Sequence, residues 1–161
     1  MERFVSHFTN RLDAKGRVSI PASFRAVLAR DGFEGLYVHP SLDLPALDCG
    51  GNRLLSEIHG LIESFSPYSV ERDSFALALE GTSEVLKVDP EGRIVLTETL
   101  KASAALTTEV VFVGLGQKFQ LWEPGRFRSH LEEAKNRVRD LRTQLGARHA
   151  AGEPTRQGAR E

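Results

Sequence analysis

The feature that most narrows what this chain can fold into is a charged turn that occurs twice. Asp13-Ala14-Lys15-Gly16 runs into Arg17-Val18-Ser19-Ile20, and Asp89-Pro90-Glu91-Gly92 runs into Arg93-Ile94-Val95-Leu96, 76 positions later. Asp at the first and Gly at the fourth position suit a type I turn, and Pro90 adds the fixed φ preferred at the second. Around the first turn, Leu12, Val18 and Ile20 fall on one strand face, with Arg11, Asp13, Arg17 and Ser19 on the other. The spacing predicts a hairpin in each copy, with Asp13, Gly16, Asp89 and Gly92 forming the turns.

The repeat extends beyond the turns. Pro21 opens a helix whose Phe24, Val27 and Leu28 share a face and which Asp31-Gly32 ends; in the second copy Thr97 caps a helix with Leu100 in the place of Phe24. Each helix is followed by an apolar strand-like run, "GLYVHP" or "VVFVGL", and a further run, "LPALD" or "FQLWE". One unit of hairpin, helix and hairpin of about 40 residues thus occurs twice. Such a half-unit has too few strands to close a core and exposes sheet edges, so the two copies are expected to complete one another.

Between the copies, Leu54, Leu55, Ile58, Leu61, Ile62 and Phe65 keep a helical period that Ser66-Pro67 breaks, and a second helix follows from about Ser69 to Leu79. At the other end, Phe127, Leu131, Ala134, Val138, Leu141 and Leu145 step by 4, 3, 4, 3, 4, an unbroken apolar seam, with Arg128, Arg137, Arg139 and Arg142 on the other faces. That helix either lies on its own domain or makes a contact between subunits. From Gly146 the chain turns small and polar, so it is expected to be disordered, and residues 148–161 are expected to be dispensable for folding and assembly. The predicted organisation is a first repeat over 4–51, a helical connector over 52–82, a second repeat over 83–126, an amphipathic helix over 127–146 and a tail over 147–161.

Several function classes have little support. No apolar run approaches the ~18 residues of a membrane span, and the first residues lead into no secretory h-region. Cys49 is the single cysteine, which excludes an internal disulfide and fits a reducing, cytoplasmic compartment. The histidines at 7, 39, 59, 130 and 149 show no metal-ligand spacing, and "GLGQK" at 114–118 lacks the spacing and the Ser/Thr of a phosphate loop. Glu132-Glu133 are solvated helix charges. The chain is therefore read as a non-enzyme without metal, cofactor or small-molecule substrate.

Charge points elsewhere. The net charge of −1 hides +4 over residues 1–30, −8 over 31–101, −1 over 102–125 and +4 over 126–161, a segregation compatible with a polyanion partner. The two turns place Arg11 and Lys87, then Arg17 and Arg93, at matched positions, with Lys15 in the first loop. Each Asp–Arg pair is either a mere cross-turn salt bridge or a turn whose Asp holds the backbone while Arg contacts phosphates or guanine edges as a planar fork.

"LDAKGRVSIPASFR" together with "VDPEGRIVL" and "LTTEVVFVGLGQKFQLWE" resembles the MraZ family, the two-copy member of the SpoVT-AbrB group of DNA-binding proteins, over about residues 4 to 140. The resemblance implies an α+β fold with a swapped-hairpin-like β barrel formed by two pseudo-repeat halves, connecting helices and a C-terminal helix. It implies a ring-shaped homo-oligomer that binds double-stranded DNA at spaced direct repeats in a promoter. It further implies a cytoplasmic, nucleoid-associated regulator of the division and cell-wall operon that includes its own gene. The family's DNA-contacting arginines fall on Arg17 and Arg93, and Lys15 lies in the matching loop; Arg11 and Lys87, sent outward by strand alternation, are read as further DNA contacts. Glu91 stands where the first copy has Lys15, and a carboxylate there repels phosphate, so the two loops are not expected to be equal. The rival classes are an antitoxin-like module that binds protein through the acidic middle or the C-terminal seam, and a purely structural ring.

Overall fold

The computed structural model describes residues 2–160, with side chains over residues 2–148. It divides into two units, Met1–Pro124 and Gly125–Glu161. In the first, the chain runs β1 (His7–Arg11), β2 (Arg17–Ser19), α1 (Ala22–Asp31), β3 (Leu36–Pro40), β4 (Leu47–Gly50), α2 (Asn52–Glu63), α3 (Val70–Leu79), β5 (Glu84–Leu86), β6 (Arg93–Val95), α4 (Glu98–Ser103), β7 (Glu109–Gly114) and β8 (Phe119–Trp122). The fold is α+β. Helix boundaries follow local chemistry: Gly32 ends α1 in the left-handed region at φ 81°, its N–H donating to Leu28 O. Ser69 Oγ accepts from Arg72 N at 3.1 Å to start α3, and Thr97 Oγ1 accepts from Leu100 N at 3.3 Å to start α4.

The strands form an antiparallel six-stranded sheet in the order β1-β7-β8-β4-β3-β5, and a separate two-stranded ribbon of β2 and β6. Two expectations are corrected here. The described residues contain no closed barrel, because β1 and β5 end the sheet on opposite sides. The strands that could have bridged those edges, β2 and β6, use their ladder bonds on each other. Nor does each charged turn join a paired hairpin. The turn closes on itself, with Asp13 N donating to Arg17 O at 3.0 Å. Beyond it β1 pairs with β7, β2 with β6 and β5 with β3, so each of these strands finds its partner in the other copy. The later hairpins, β3–β4 and β7–β8, do form.

This cross-pairing produces one shared core. Leu12, Val18, Ile20, Phe24, Leu36 and Leu47 from the first copy are buried in one cluster with Leu86, Ile94, Leu96, Leu100, Phe112 and Phe119 from the second. Phe24 and Phe119 meet with ring centroids 5.0 Å apart. A smaller cluster, Tyr37, Leu54, Ile58, Ile62 and Leu79, packs α2 and α3 onto the sheet. The connector is thus held by its own apolar face and forms no third copy of the repeat.

Helix α5 (Pro124–Arg160) supplies the second unit, which begins one residue into it, at Gly125. Of the apolar seam, Phe127 is buried, Leu131 and Ala134 are partly buried, and Val138, Leu141 and Leu145 are exposed. The helix runs on through Gly146, past the boundary predicted from composition; of the tail predicted over 147–161, the side chains from residue 149 onward lie outside the described residues.

The pairing makes Ile94, with no exposed surface, a keystone between the copies, whereas its neighbour Val95 is half exposed. Ile94→Ala is expected to cost about 2–5 kcal/mol of unfolding free energy, and Val95→Ala to stay within about 0.5 kcal/mol. Guanidinium titration of the two variants checks this, and equal midpoints would contradict the shared core.

Candidate nucleic-acid interface

Each turn is built around its aspartate. Gly16 N donates to Asp13 O at 3.0 Å and Gly92 N to Asp89 O at 2.9 Å, closing type I turns. The glycines then take φ +83° and +82°, the left-handed residue that completes such a loop. A β-carbon at Gly16 would stand 2.7 Å from Leu96 O, so space as well as φ requires glycine.

Each carboxylate organises the rest of its own turn. Asp13 Oδ1 accepts from Lys15 N at 2.9 Å and Arg17 N at 2.8 Å, while Oδ2 accepts from Arg17 Nε at 2.7 Å. Asp89 repeats the pattern with Glu91 N at 2.9 Å, Arg93 N at 2.8 Å and Arg93 Nε at 2.9 Å. The Arg17 N–H, and next its side chain, hold the Asp13 carboxyl below its ordinary value. The Arg93 N–H leads the same effect at Asp89. Each arginine is therefore gripped at Nε by its own turn, which orients the guanidinium and leaves its terminal nitrogens for other contacts.

The ribbon brings the two signatures together. Val18 faces Ile94 across the ladder, Arg17 faces Val95 and Ser19 faces Arg93. Alternation puts Val18 and Ile94 into the core and sets Arg17, Ser19, Arg93 and Val95 on one outer face. Arg17 and Arg93 are diagonal neighbours, a relation that spans roughly 7–8 Å. Ile20 N donates to Gly92 O at 2.9 Å and Leu96 N to Gly16 O at 2.8 Å, so each turn is also tied to the strand of the other copy.

The two halves of this face are unequal. Arg93 Nη2 lies 3.3 Å from Glu91 Oε2, and its guanidinium is held charged by the Asp89 hydrogen bond first, then by the charges of Asp89 and Glu91. Among the described residues Arg17 has Asp13 as its single carboxylate partner. The repulsive role expected of Glu91 has a geometric counterpart: that carboxylate already occupies one end of Arg93.

Of the other predicted residues, Lys15 is exposed in the first turn beside Arg17. Arg11 lies on the edge strand β1 in register with Glu109, and Lys87 is exposed just after the opposite edge strand, β5. The structure thus joins Lys15, Arg17 and Arg93 on or beside the ribbon and leaves Arg11 and Lys87 on the flanking sheet. One residue escaped the sequence reading. Arg25 of α1 donates from Nη1 to Glu91 O at 2.9 Å, and a β-carbon at Gly92 would fall 1.8 Å from that nitrogen. Arg25 therefore props the second turn from the first copy, beside a cleft of about 530 Å³ lined by Leu28, Phe33, Val88 and Pro90. Its one sequence signal is a cation, Lys101, at the matching position 76 residues later.

The remaining polar cluster is interior. Asp48 accepts from Gln120 Nε2 at 2.7 Å and Lys118 Nζ at 3.3 Å, and Trp122 Nε1 donates to Gln120 Oε1 at 2.9 Å. These bonds satisfy a carboxylate buried between β4 and β8. Cys49 is buried, and burial pushes its thiol well above the ordinary range. Among the described residues no group of His, Cys, Asp and Glu could hold a metal ion, and no helix is long and apolar enough to cross a membrane.

Comparison with known proteins places this geometry in a family. The family model described as "MraZ protein, putative antitoxin-like" matches residues 78–146. The chain is 71% identical to a protein of Methylocella silvestris and 70% identical to one of Beijerinckia indica, over the full length of both chains in each case. It is 65% identical to one of Xanthobacter autotrophicus over 92% of this chain and 94% of that one. All three are named transcriptional regulator MraZ.

The turn carboxylates make a pH-dependent contribution. Both are depressed below 3.8, so the stabilisation they supply is present above that value and is lost as pH falls through their lower folded-state values. An Asp13→Asn/Asp89→Asn variant is expected to melt below the parent at neutral pH, with the gap narrowing as pH falls from about 5 toward 2. Thermal melts across that range check it; a gap that stays constant would show that the carboxylate charges do not hold the turns.

Proposed function

The chain belongs to the MraZ family of transcriptional regulators, and on that footing we propose that it regulates transcription by binding double-stranded DNA through the outer face of the β2–β6 ribbon. The observation that carries this reading is the placement of Arg17 and Arg93 on one exposed strip. Each is held at Nε by its own turn aspartate, so the guanidinium is oriented before DNA arrives. A two-stranded ribbon fits the major groove, where a fixed arginine fork can take both guanine acceptors. Lys15, Arg11 and Lys87 then add phosphate contacts, which position the protein without reading bases.

The finer reading follows the family. The strand exchange between copies is a swapped-hairpin arrangement of two repeats, 4–51 and 83–126, joined by the connector 52–82 and followed by a helix over 127–146. The protein works in the cytoplasm on the nucleoid, as a ring-shaped homo-oligomer on spaced direct repeats. Its target is the division and cell-wall operon that contains its own gene. Multiplying a ribbon around a ring raises avidity without any new kind of interaction. It also accounts for DNA binding by a chain with pI ≈ 6.5, because Lys15, Arg17 and Arg93 recur on every copy of the ring while Asp13 and Asp89 are turned onto their own loops.

In this reading the first turn dominates. Arg17→Ala is expected to weaken binding to repeat-bearing duplex by about 1–3 kcal/mol for each arginine–base pairing it removes. Arg93→Ala should do less, because Glu91 competes with DNA for Nη2. Lys15→Ala should weaken specific and scrambled duplexes alike and flatten the salt dependence. Fluorescence anisotropy on both duplexes at two salt concentrations, with melting curves alongside, measures all three. Unchanged affinity in a folded Arg17→Ala/Arg93→Ala protein would overturn the proposal and favour a protein-binding role for the acidic connector.

A further inference from the structure

The part of α5 that leaves its apolar seam exposed has a definite electrostatic character. Val138, Leu141 and Leu145 are about half exposed, at 53%, 49% and 56%. With the seam at the two core positions of a heptad, the flanking positions carry Lys135, Arg137 and Arg142, while Glu132, Glu133 and Asp140 fall on the far side. This excludes the simplest occupant, a second α5. Parallel pairing would set Arg137 against Arg142 of the twin, and antiparallel pairing would set Lys135 against Arg142; either way cation faces cation. The seam calls for an apolar surface rimmed with carboxylates.

The connector of the same chain offers one. α3 buries Leu79 against α2, and its opposite face leaves Val70 77% and Leu77 72% exposed. These two lie seven residues apart, on one helical stripe with Asp73 and Glu80, which are also exposed. Residues 52–83 carry five carboxylates against Arg53 and Arg72, and Arg72 is already paired with Glu63 at 3.0 Å. The α3 stripe is thus apolar along its centre and acidic along one flank, where Asp73 and Glu80 stand seven residues apart, as Lys135 and Arg142 do along one flank of the α5 seam.

We infer that the exposed α5 seam of one copy docks on the Val70–Leu77 stripe of α3 in a second copy, with Lys135 and Arg142 facing Asp73 and Glu80. The two surfaces are different patches of the same chain, so the contact is heterologous: each copy that offers a seam still has a free stripe, and the series ends by closing into a ring. This inference rests on the ring proposed above and supplies its contact. It also assigns the acidic middle of the chain a role that DNA binding leaves unexplained.

The test is charge reversal with rescue. Light scattering on a sizing column is applied to the parent, to Lys135→Glu/Arg142→Glu, to Asp73→Lys/Glu80→Lys, and to an equimolar mixture of the two variants. The parent is expected above dimer mass and each variant alone at the mass of one or two chains. The mixture should recover the parental mass, because each reversed seam then meets a reversed stripe. Recovery on mixing cannot arise from a folding defect, and circular-dichroism melts of the separate variants give an independent check. A parent that runs as a monomer at micromolar concentration would overturn the ring and this contact together. A parental oligomer unmoved by either variant would overturn the contact and leave the ring standing. Loss of assembly in the α5 variant without loss in the α3 variant would also overturn it, as would weakened retention of random duplex with assembly intact, which would assign the basic rim to nucleic acid.

Discussion

Three residues against three hold this molecule in its particular form. The ladder of Arg17–Ser19 on Arg93–Val95 is short, yet it is where two copies of one motif become a single object. Its inner face, Val18 on Ile94, belongs to the common core, and its outer face carries both signature arginines. Its ends are tied by the carbonyls of Gly16 and Gly92, each accepting from the strand beyond the other turn. A three-residue ladder alone is marginal in water, so the sheet beneath it supplies the order that the ribbon displays.

The turns convert that order into chemistry. An exposed arginine on a free strand samples many rotamers, and fixing it on a ligand costs side-chain entropy. Here Asp13 and Asp89 accept from Nε and from the same residue's N–H, so backbone and guanidinium are held by one carboxylate. The second turn departs from this plan: Glu91 takes one end of Arg93, and Arg25 reaches over from α1 to brace Glu91 O. The first turn is the more open and the second the more tied down.

Much of this was legible because it is local. Asp and Gly at the first and fourth turn positions determine the turn with few neighbours involved, and the caps at Thr97 and Gly32 follow from one side chain or one φ. The inward set of Leu12, Val18 and Ile20 followed from alternation. Strand partners were not legible. A turn closed by Asp13 N and Arg17 O looks like a hairpin tip, and a three-residue strand satisfies the same local rules whichever strand lies beside it. The expected closure into a barrel failed for the same reason: edge strands want partners, but alternation does not say that β2 and β6 take each other and leave β1 and β5 as edges. The role of Arg25 was not legible because its contact is to a backbone carbonyl 66 residues away, and the matching cation Lys101 marks the position without saying what it touches.

The central claim is that both turns and the ribbon between them form one DNA-binding face. The most direct measurement is amide hydrogen exchange, resolved to short peptides, of the protein with and without duplex from its own upstream region. The account predicts that protection on binding concentrates in residues 13–19 and 89–95 together, rising and falling with salt in parallel. Protection confined to the connector or to α5, with both turns exchanging as in the free protein, would contradict it.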